Sequence, residues 1–232
     1  MLKETAAVSN KVPENRPVHE NVYAVLRARV LFGDLVPGQA VTLQGLADHL
    51  HAGMTPVREA VRRLISDGAL IMRGNRRVIV PELTESCIQQ IEFMRLSLEP
   101  KLARRALTRI TDDEIDRLAA DDSALNQAIL NGDVSGYLRQ NHQFHKRIYN
   151  TAAAPIVSAT VDRLWLRFSP SLRIVCGQFG TLNLPDWHAE ILLAMRKRDA
   201  EGITEALEND IRQGMSQMRT ALSSQTGPER FD

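Results

Sequence analysis

Only two cysteines, Cys87 and Cys176, occur in the 232 residues, far apart and outside any CxxC pair. They form neither a disulfide framework nor a thiolate metal site. No apolar run approaches the roughly 18 residues of a membrane span, so no membrane partner is expected. The opening residues, MLKETAAVSNKVPENRP, lack the apolar core of a signal peptide. A cytoplasmic protein is the simplest expectation. There is no Gly-rich phosphate loop, nucleophile elbow or HExxH helix to carry enzyme chemistry. Nor is there a polybasic arm. The formal net charge is +1, which by itself says nothing about nucleic acid.

The distribution of charge says more. Residues 18–80 hold eight Lys/Arg against five Asp/Glu, whereas residues 81–232 hold 18 against 21. A mildly basic piece precedes a mildly acidic one, so any DNA contact must be local and specific in geometry. At 44% hydrophobic and 25% charged, the chain has the composition of an ordinary globular protein of one or two domains.

The stretch from Leu43 to Val80 is the most informative. Leu43, Leu46, Ala47 and Leu50 give one short helix an apolar face. His51, Ala52 and Gly53 make a turn. Val57, Ala60, Val61, Leu64 and Ile65 then follow the i, i+3, i+4, i+7, i+8 spacing of a second amphipathic helix. Asp67 and Gly68 stop it. Ala69 to Met72 and Arg77 to Val80 read as two short strands around an Arg73-Gly74-Asn75-Arg76 turn. Helix, turn, helix and wing in that order form a DNA-reading module whose second helix enters the major groove. A preceding helix is expected over 18–32, closed by Gly33 and the Pro37-Gly38 turn.

Past Thr84 the pattern is helical, with no convincing strand. Helices are expected near 84–108, 111–131, 133–150, 154–176, 183–198 and 199–222. Thr111-Asp112-Asp113-Glu114 has the form of a capping box, and Pro170 should kink or interrupt its helix. Short connections favour an antiparallel bundle. The expected fold is therefore mainly α: a winged helix-turn-helix over 18–81 with a small β-hairpin, then an all-helical domain over 84–222. Flexible tails are expected at 1–17 and 223–232.

In the second helix of the DNA module, Arg58 is placed to bind guanine O6 and N7 with two hydrogen bonds. Thr55 is expected to cap that helix and to reach a phosphate. Arg62, one turn on, and with less reason Arg63, reach the DNA backbone, or both pair with Glu59. On the wing, Arg73, Asn75 and Arg76 face phosphate or the minor groove, or are merely solvated. Asn141 and His145, four apart, share a helix face. His188 opens a later helix, and Asp210 sits 22 residues further on in the last one. His142 points about 100° away from His145. Arg95 either binds a carboxylate ligand or pairs internally with Glu92 or Glu99. Phe144, Trp165, Phe168 and Leu192 read as core, and nothing demands that Arg167 or Arg173 line a pocket.

These residues resemble the GntR family of bacterial transcription regulators. The marks are Val36-Pro37-Gly38-Gln39, Leu46-Ala47, Thr55-Pro56-Val57-Arg58-Glu59-Ala60 and Leu64-Ile65-Ser66-Asp67-Gly68. The remainder resembles the FCD effector domain of the FadR-like subgroup, through Arg95-Leu96-Ser97-Leu98-Glu99-Pro100, Asn141-His142-Gln143-Phe144-His145, Trp187-His188-Ala189-Glu190-Ile191 and Arg198-Asp199-Ala200. The resemblance implies a homodimer on a near-palindromic DNA operator, most often a repressor, controlled by a small organic acid or related metabolite. It places Gln44 and Arg58 against DNA and Arg95 in the effector pocket. It implies a metal site, for an ion such as Zn2+ or Ni2+, at Asn141, His145, His188 and Asp210; two imidazoles and one carboxylate are a plausible divalent-metal set, and the alternative is a hydrogen-bonded polar pocket without metal. The family's usual Asp and last His are replaced here by Asn141 and Asp210. A metal-dependent enzyme using His145, His188 and Asp210 is the competing reading, and a purely protein-binding helical adaptor is a third.

Overall fold

The computed structural model describes residues 18–74, 77–179 and 186–225. The expected tail at 1–17, the wing-turn residues Asn75 and Arg76, the connection at 180–185 and the end of the chain from 226 lie outside the described residues. Twelve elements follow one another among the described residues. Helix α1 (Val18–Leu31) precedes β1 (Ala40–Thr42), α2 (Leu43–His49) and α3 (Met54–Ser66), and then the wing strands β2 (Ile71–Arg73) and β3 (Arg77–Ile79). The helical part comprises α4 (Glu85–Ala106), α5 (Asp112–Leu130), α6 (Val134–Thr151), α7 (Pro155–Phe179), α8 (Trp187–Lys197) and α9 (Ala200–Gln225).

The winged unit is built as its apolar spacing requires. Val57, Ala60, Val61 and Leu64 of α3 are buried against Leu46 and Ala47 of α2 and Leu26 and Val30 of α1. The wing has one strand more than the sequence reading allows. β1 pairs antiparallel with β3 (Ala40↔Ile79, Val41↔Val78, Thr42↔Arg77), and β3 pairs with β2, giving the order β1-β3-β2. Three residues are too few to show alternation, and pairing with a strand nearly 40 positions away is what holds β1. Thr42 then caps α2, accepting from Gly45 N at 3.0 Å.

Thr55 is not the cap of α3. The helix begins at Met54, and the capping position belongs to Gly53, which offers no side chain. Thr55 therefore sits exposed inside the first turn, and Pro56 follows where its missing N–H costs nothing.

The bundle follows the expected helices closely. α5 opens on the capping box, with Glu114 N donating to Thr111 Oγ1 and Thr111 N to Glu114 Oε2 at 2.8 Å. α7 runs through Pro170 without the interruption that was one of the two expected outcomes. Pro170 removes one backbone hydrogen bond, but Phe168, Leu166 and Leu172 are buried around it and hold the helix in register. α4 likewise carries a buried Pro100.

α7 also joins the two parts. Ser169 Oγ donates to the Leu31 carbonyl at the end of α1 at 2.6 Å, with both groups buried. Arg167 Nε donates to the Gly68 carbonyl at 3.4 Å, and Arg163 pairs with Asp67 at 3.3 Å. Gly33 (φ +70°) and Gly68 (φ +74°) end α1 and α3 in the left-handed region. A Cβ at either would lie 2.9 Å from Arg173 Cβ or 2.6 Å from Arg167 Nε, so glycine permits both the turn and the approach of α7.

Removing a buried donor leaves its acceptor unsatisfied, at a cost of about 1–3 kcal/mol. Ser169→Ala is expected to lower unfolding free energy by that amount in denaturant titration. An unchanged midpoint and slope contradict the junction described here.

Candidate functional site

The exposed face of the winged unit carries most of the nominated DNA residues. Gln44 is exposed, with its amide donating to Asp48 at 2.8 Å. Arg58 is exposed and has no ion pair among the described residues. Arg62 pairs with Glu59 at 3.3 Å, but both side chains are mostly in solvent, so the pair is weak and easily exchanged. Arg63 lies over the Tyr23 ring at 3.9 Å and serves α1–α3 packing. Arg73, exposed in β2, stands directly across the ladder from Arg77. Sequence reasoning did not single out Arg77; the signal is the hairpin register, which sets two cations side by side.

Inside the bundle a cavity of about 340 Å³ is lined by Arg95, Asn141, His145, Trp165, His188 and Asp210, among others. α4, α6, α7, α8 and α9 each supply part of it. Periodicity explains the local placement: Asn141, His145 and Tyr149 are successive turns of one face of α6. Asp186 caps α8 through Ala189 N at 3.0 Å, which fixes where His188 enters.

The three ionisable groups converge. His145 Nε2 lies 3.3 Å from His188 Nε2 and 3.4 Å from Asp210 Oδ2, and His188 Nε2 is 3.9 Å from Asp210 Oδ1. All three ligand atoms fall within 4.8 Å of one another. Two donors each about 2.0–2.1 Å from a tetrahedral ion stand roughly 3.3 Å apart. The donor types and spacing therefore fit a divalent ion, and Asn141 lines the same cavity. The outer face of His188 is fixed by Asp122, whose Oδ1 lies 3.0 Å from Nδ1, and Phe144 stacks on the ring at 4.0 Å. Asp122 was not singled out from sequence, because its role depends on a contact 66 residues away.

Burial shifts every group. His145 is held well below its ordinary value by desolvation, then by His188 and Arg95. Desolvation also opposes protonation of His188, but its bond to Asp122 and the nearby Asp210 charge carry it above the ordinary range. Burial raises Asp210, against the pull of His188 and Arg95.

Arg95 makes the internal pair with Glu99 and also lines the cavity. Its Nε and Nη2 donate to both oxygens of Glu99 at 2.7 and 3.1 Å, and Nη1 meets only Met215 Sδ at 3.9 Å. Glu92 pairs instead with Arg219. His142 points away from the cluster as expected and lies edge-on between Phe32 and Trp165. Trp165 and Phe168 are core residues and cavity wall at once. Arg173 reaches Ser135 at 2.8 Å, and neither it nor Arg167 lines the cavity.

A winged helix-turn-helix joined to a helical domain that encloses a polar cavity defines the class of ligand-responsive transcription regulators. The chain belongs to the GntR family of bacterial regulators, with an FCD domain: residues 18–80 match the family of bacterial regulatory proteins called gntR, and residues 90–213 match the FCD domain. It is 28% identical over 195 residues to the HTH-type transcriptional regulator McbR of Escherichia coli (strain K12), covering 82% of this chain and 88% of McbR. It is 21% identical over 210 residues to the HTH-type transcriptional repressor RspR of the same organism, covering 89% and 91%. The solved structure of E. coli McbR/YncC superposes with a TM-score of 0.84 at 26% identity, over 89% of this chain and 99% of that one. Among the described residues no helix is long and apolar enough to cross a membrane.

His142 gives a pH prediction. Burial, then Lys146 and Arg27, depress it from the ordinary 6.5 to about 3. Between those values the unfolded chain binds the extra proton, so this contribution to stability is present above the ordinary value and lost as pH falls. His142→Phe keeps a ring between Phe32 and Trp165 but cannot titrate. Between about pH 7 and pH 5 it is expected to lose up to about 2 kcal/mol less stability than the parent protein in denaturant titrations. Parallel pH profiles contradict this.

Proposed function

We propose that the protein is a dimeric, ligand-responsive transcription repressor, acting in the cytoplasm on a near-palindromic operator. Gln44, Thr55, Arg58 and Arg62 face the DNA from the helix-turn-helix and Arg73 from the wing, whose turn residues Asn75 and Arg76 belong to the same reading. Arg58 is the principal base reader, supported by its exposure and freedom from any described ion pair. The Arg73–Arg77 pairing supports a phosphate contact, because like charges directly opposite in a ladder are unfavourable until an anion lies between them. A two-fold dimer doubles the few contacts one module offers. The similarity to RspR supports repression.

The observation that carries the regulatory reading is the cluster of His145, His188 and Asp210 in a cavity walled by α7, the helix that also holds the winged unit. We assign these three, with Asn141, as holders of a divalent ion such as Zn2+ or Ni2+. When bound, the ion supplies positive charge and open coordination positions for a small carboxylate effector. The chain's own residues shape the cavity, orient both imidazoles and exclude bulk water. Effector binding then shifts the population of DNA-competent arrangements, by no more than its differential affinity for them. A binding role needs no general base, and none stands out beside the cluster, so we favour regulation over catalysis.

Selection of bound fragments from genomic DNA at fixed salt is expected to enrich a short near-palindrome, and Arg58→Ala to lose that enrichment while remaining dimeric. Equal enrichment by both proteins removes Arg58 as a reader; none by the parent protein, with and without metabolite pools and metals, overturns the DNA reading. For the bundle, the combined His145→Ala and His188→Ala variant is expected to lose all stoichiometric divalent metal. Undiminished metal content places the ion elsewhere.

A further inference from the structure

Tyr149 is one turn beyond His145 on α6 and almost fully buried. Its hydroxyl lies 2.5 Å from Glu99 Oε2 and 3.1 Å from His145 Nδ1. Glu99 has no exposed surface and accepts two N–H bonds from the equally buried Arg95. A carboxylate paired this way only accepts, so Tyr149 donates its one proton to Glu99. The phenol oxygen then has nothing left to give His145, and acts there as acceptor. His145 must carry its proton on Nδ1. Its Nε2 is left as a lone pair, aimed at His188 and Asp210.

The other imidazole is fixed by a different device to the same end. Asp122 Oδ1 accepts from His188 Nδ1, while Asn126 donates to the other Asp122 oxygen at 3.2 Å. The His145 Nε2 lone pair thus faces His188 Nε2 across 3.3 Å with the Asp210 carboxylate beside it. In the metal-free cavity it can accept a proton carried on His188 Nε2; a divalent cation displaces that proton and takes both nitrogens.

We infer that Arg95, Glu99 and Tyr149 form a positioning relay that locks His145 in its Nδ1–H tautomer and presents Nε2 to a divalent cation. Arg95 is thereby a member of the relay through the edge it spends on Glu99, while its Nη1 side still borders the cavity. The purpose of the relay rests on the metal reading above; the tautomer does not. Partners of this kind behind a ligating histidine typically contribute 10–100-fold in metal affinity.

A purely structural network and a relay are separated by two readouts on the full chain. In metal-free protein labelled with 15N-histidine, long-range 1H–15N spectra are expected to show His145 as the Nδ1–H tautomer. Tyr149→Phe, which keeps the ring and removes only the hydroxyl, is expected to move it toward Nε2–H. Competition with a chromophoric chelator, using Zn2+ alone as probe, is expected to show affinity reduced about 10–100-fold in that variant. Glu99→Gln, a second substitution of nearly the same shape, should move both readouts in the same direction. The relay is overturned by an Nε2–H tautomer in the parent protein, or by variants that fold yet leave tautomer and Zn2+ affinity unchanged. A parent protein with the Nδ1–H tautomer that binds no Zn2+ overturns the metal assignment instead, so the two failures are distinguishable.

Discussion

Charges buried in a helical bundle must neutralise one another, and this constraint organises the larger part of the molecule. Buried Arg95, Glu99, Asp122, His145 and His188 and half-buried Asp210 come from α4, α5, α6, α8 and α9. The ions among them are not stable alone, because an unpaired buried ion costs several kcal/mol. Glu99 answers Arg95, Asp122 answers His188, and Asp210 lies against both imidazoles. The apolar residues give the bundle its stability; the polar set specifies which helices are neighbours and in what register. A network with one member removed is worse than an apolar core, so these positions are tightly interdependent.

The second constraint is that α7 serves two cores. Trp165, Phe168, Leu172 and Val175 face the cavity, while Arg163, Arg167, Ser169 and Arg173 face or approach the winged unit. His142 completes the junction, touching Trp165 with one edge and Phe32, just past α1, with the other. A change in the cavity wall therefore lies one or two packed side chains from the DNA-binding unit. The physical content of a regulatory link is a bistable element that both sites bias, and α7 with its polar contacts to Leu31, Asp67 and Gly68 is the element so placed.

Much of this was legible in the sequence, for identifiable reasons. The long helices announce themselves through apolar spacing and through local caps such as Thr111. Arg95 pairing with Glu99 was one of the alternatives that helical spacing allowed. β1 was not legible, since its three residues become a strand only by pairing with β3. Thr55 was misread as a cap because Gly53 and Thr55 both belong to cap-forming types and one residue of frame decides between them. Pro170 does not interrupt α7, because tertiary packing outweighs one lost backbone bond. The convergence of His145, His188 and Asp210 was available only through resemblance to a family, and the parts played by Asp122 and Tyr149 depend on contacts at long sequence separation.

We propose that the buried cluster governs the DNA-reading surface. The most direct measurement is the affinity of the full-length protein for its selected operator, titrated with Zn2+ at fixed salt, beside the protein lacking both cluster imidazoles. Linkage requires that an ion favouring one arrangement shift operator affinity by the same factor with which the operator shifts ion affinity. A several-fold shift is expected in the parent protein and none in the variant. A parent protein that binds Zn2+ stoichiometrically at the cluster with operator affinity unchanged contradicts it.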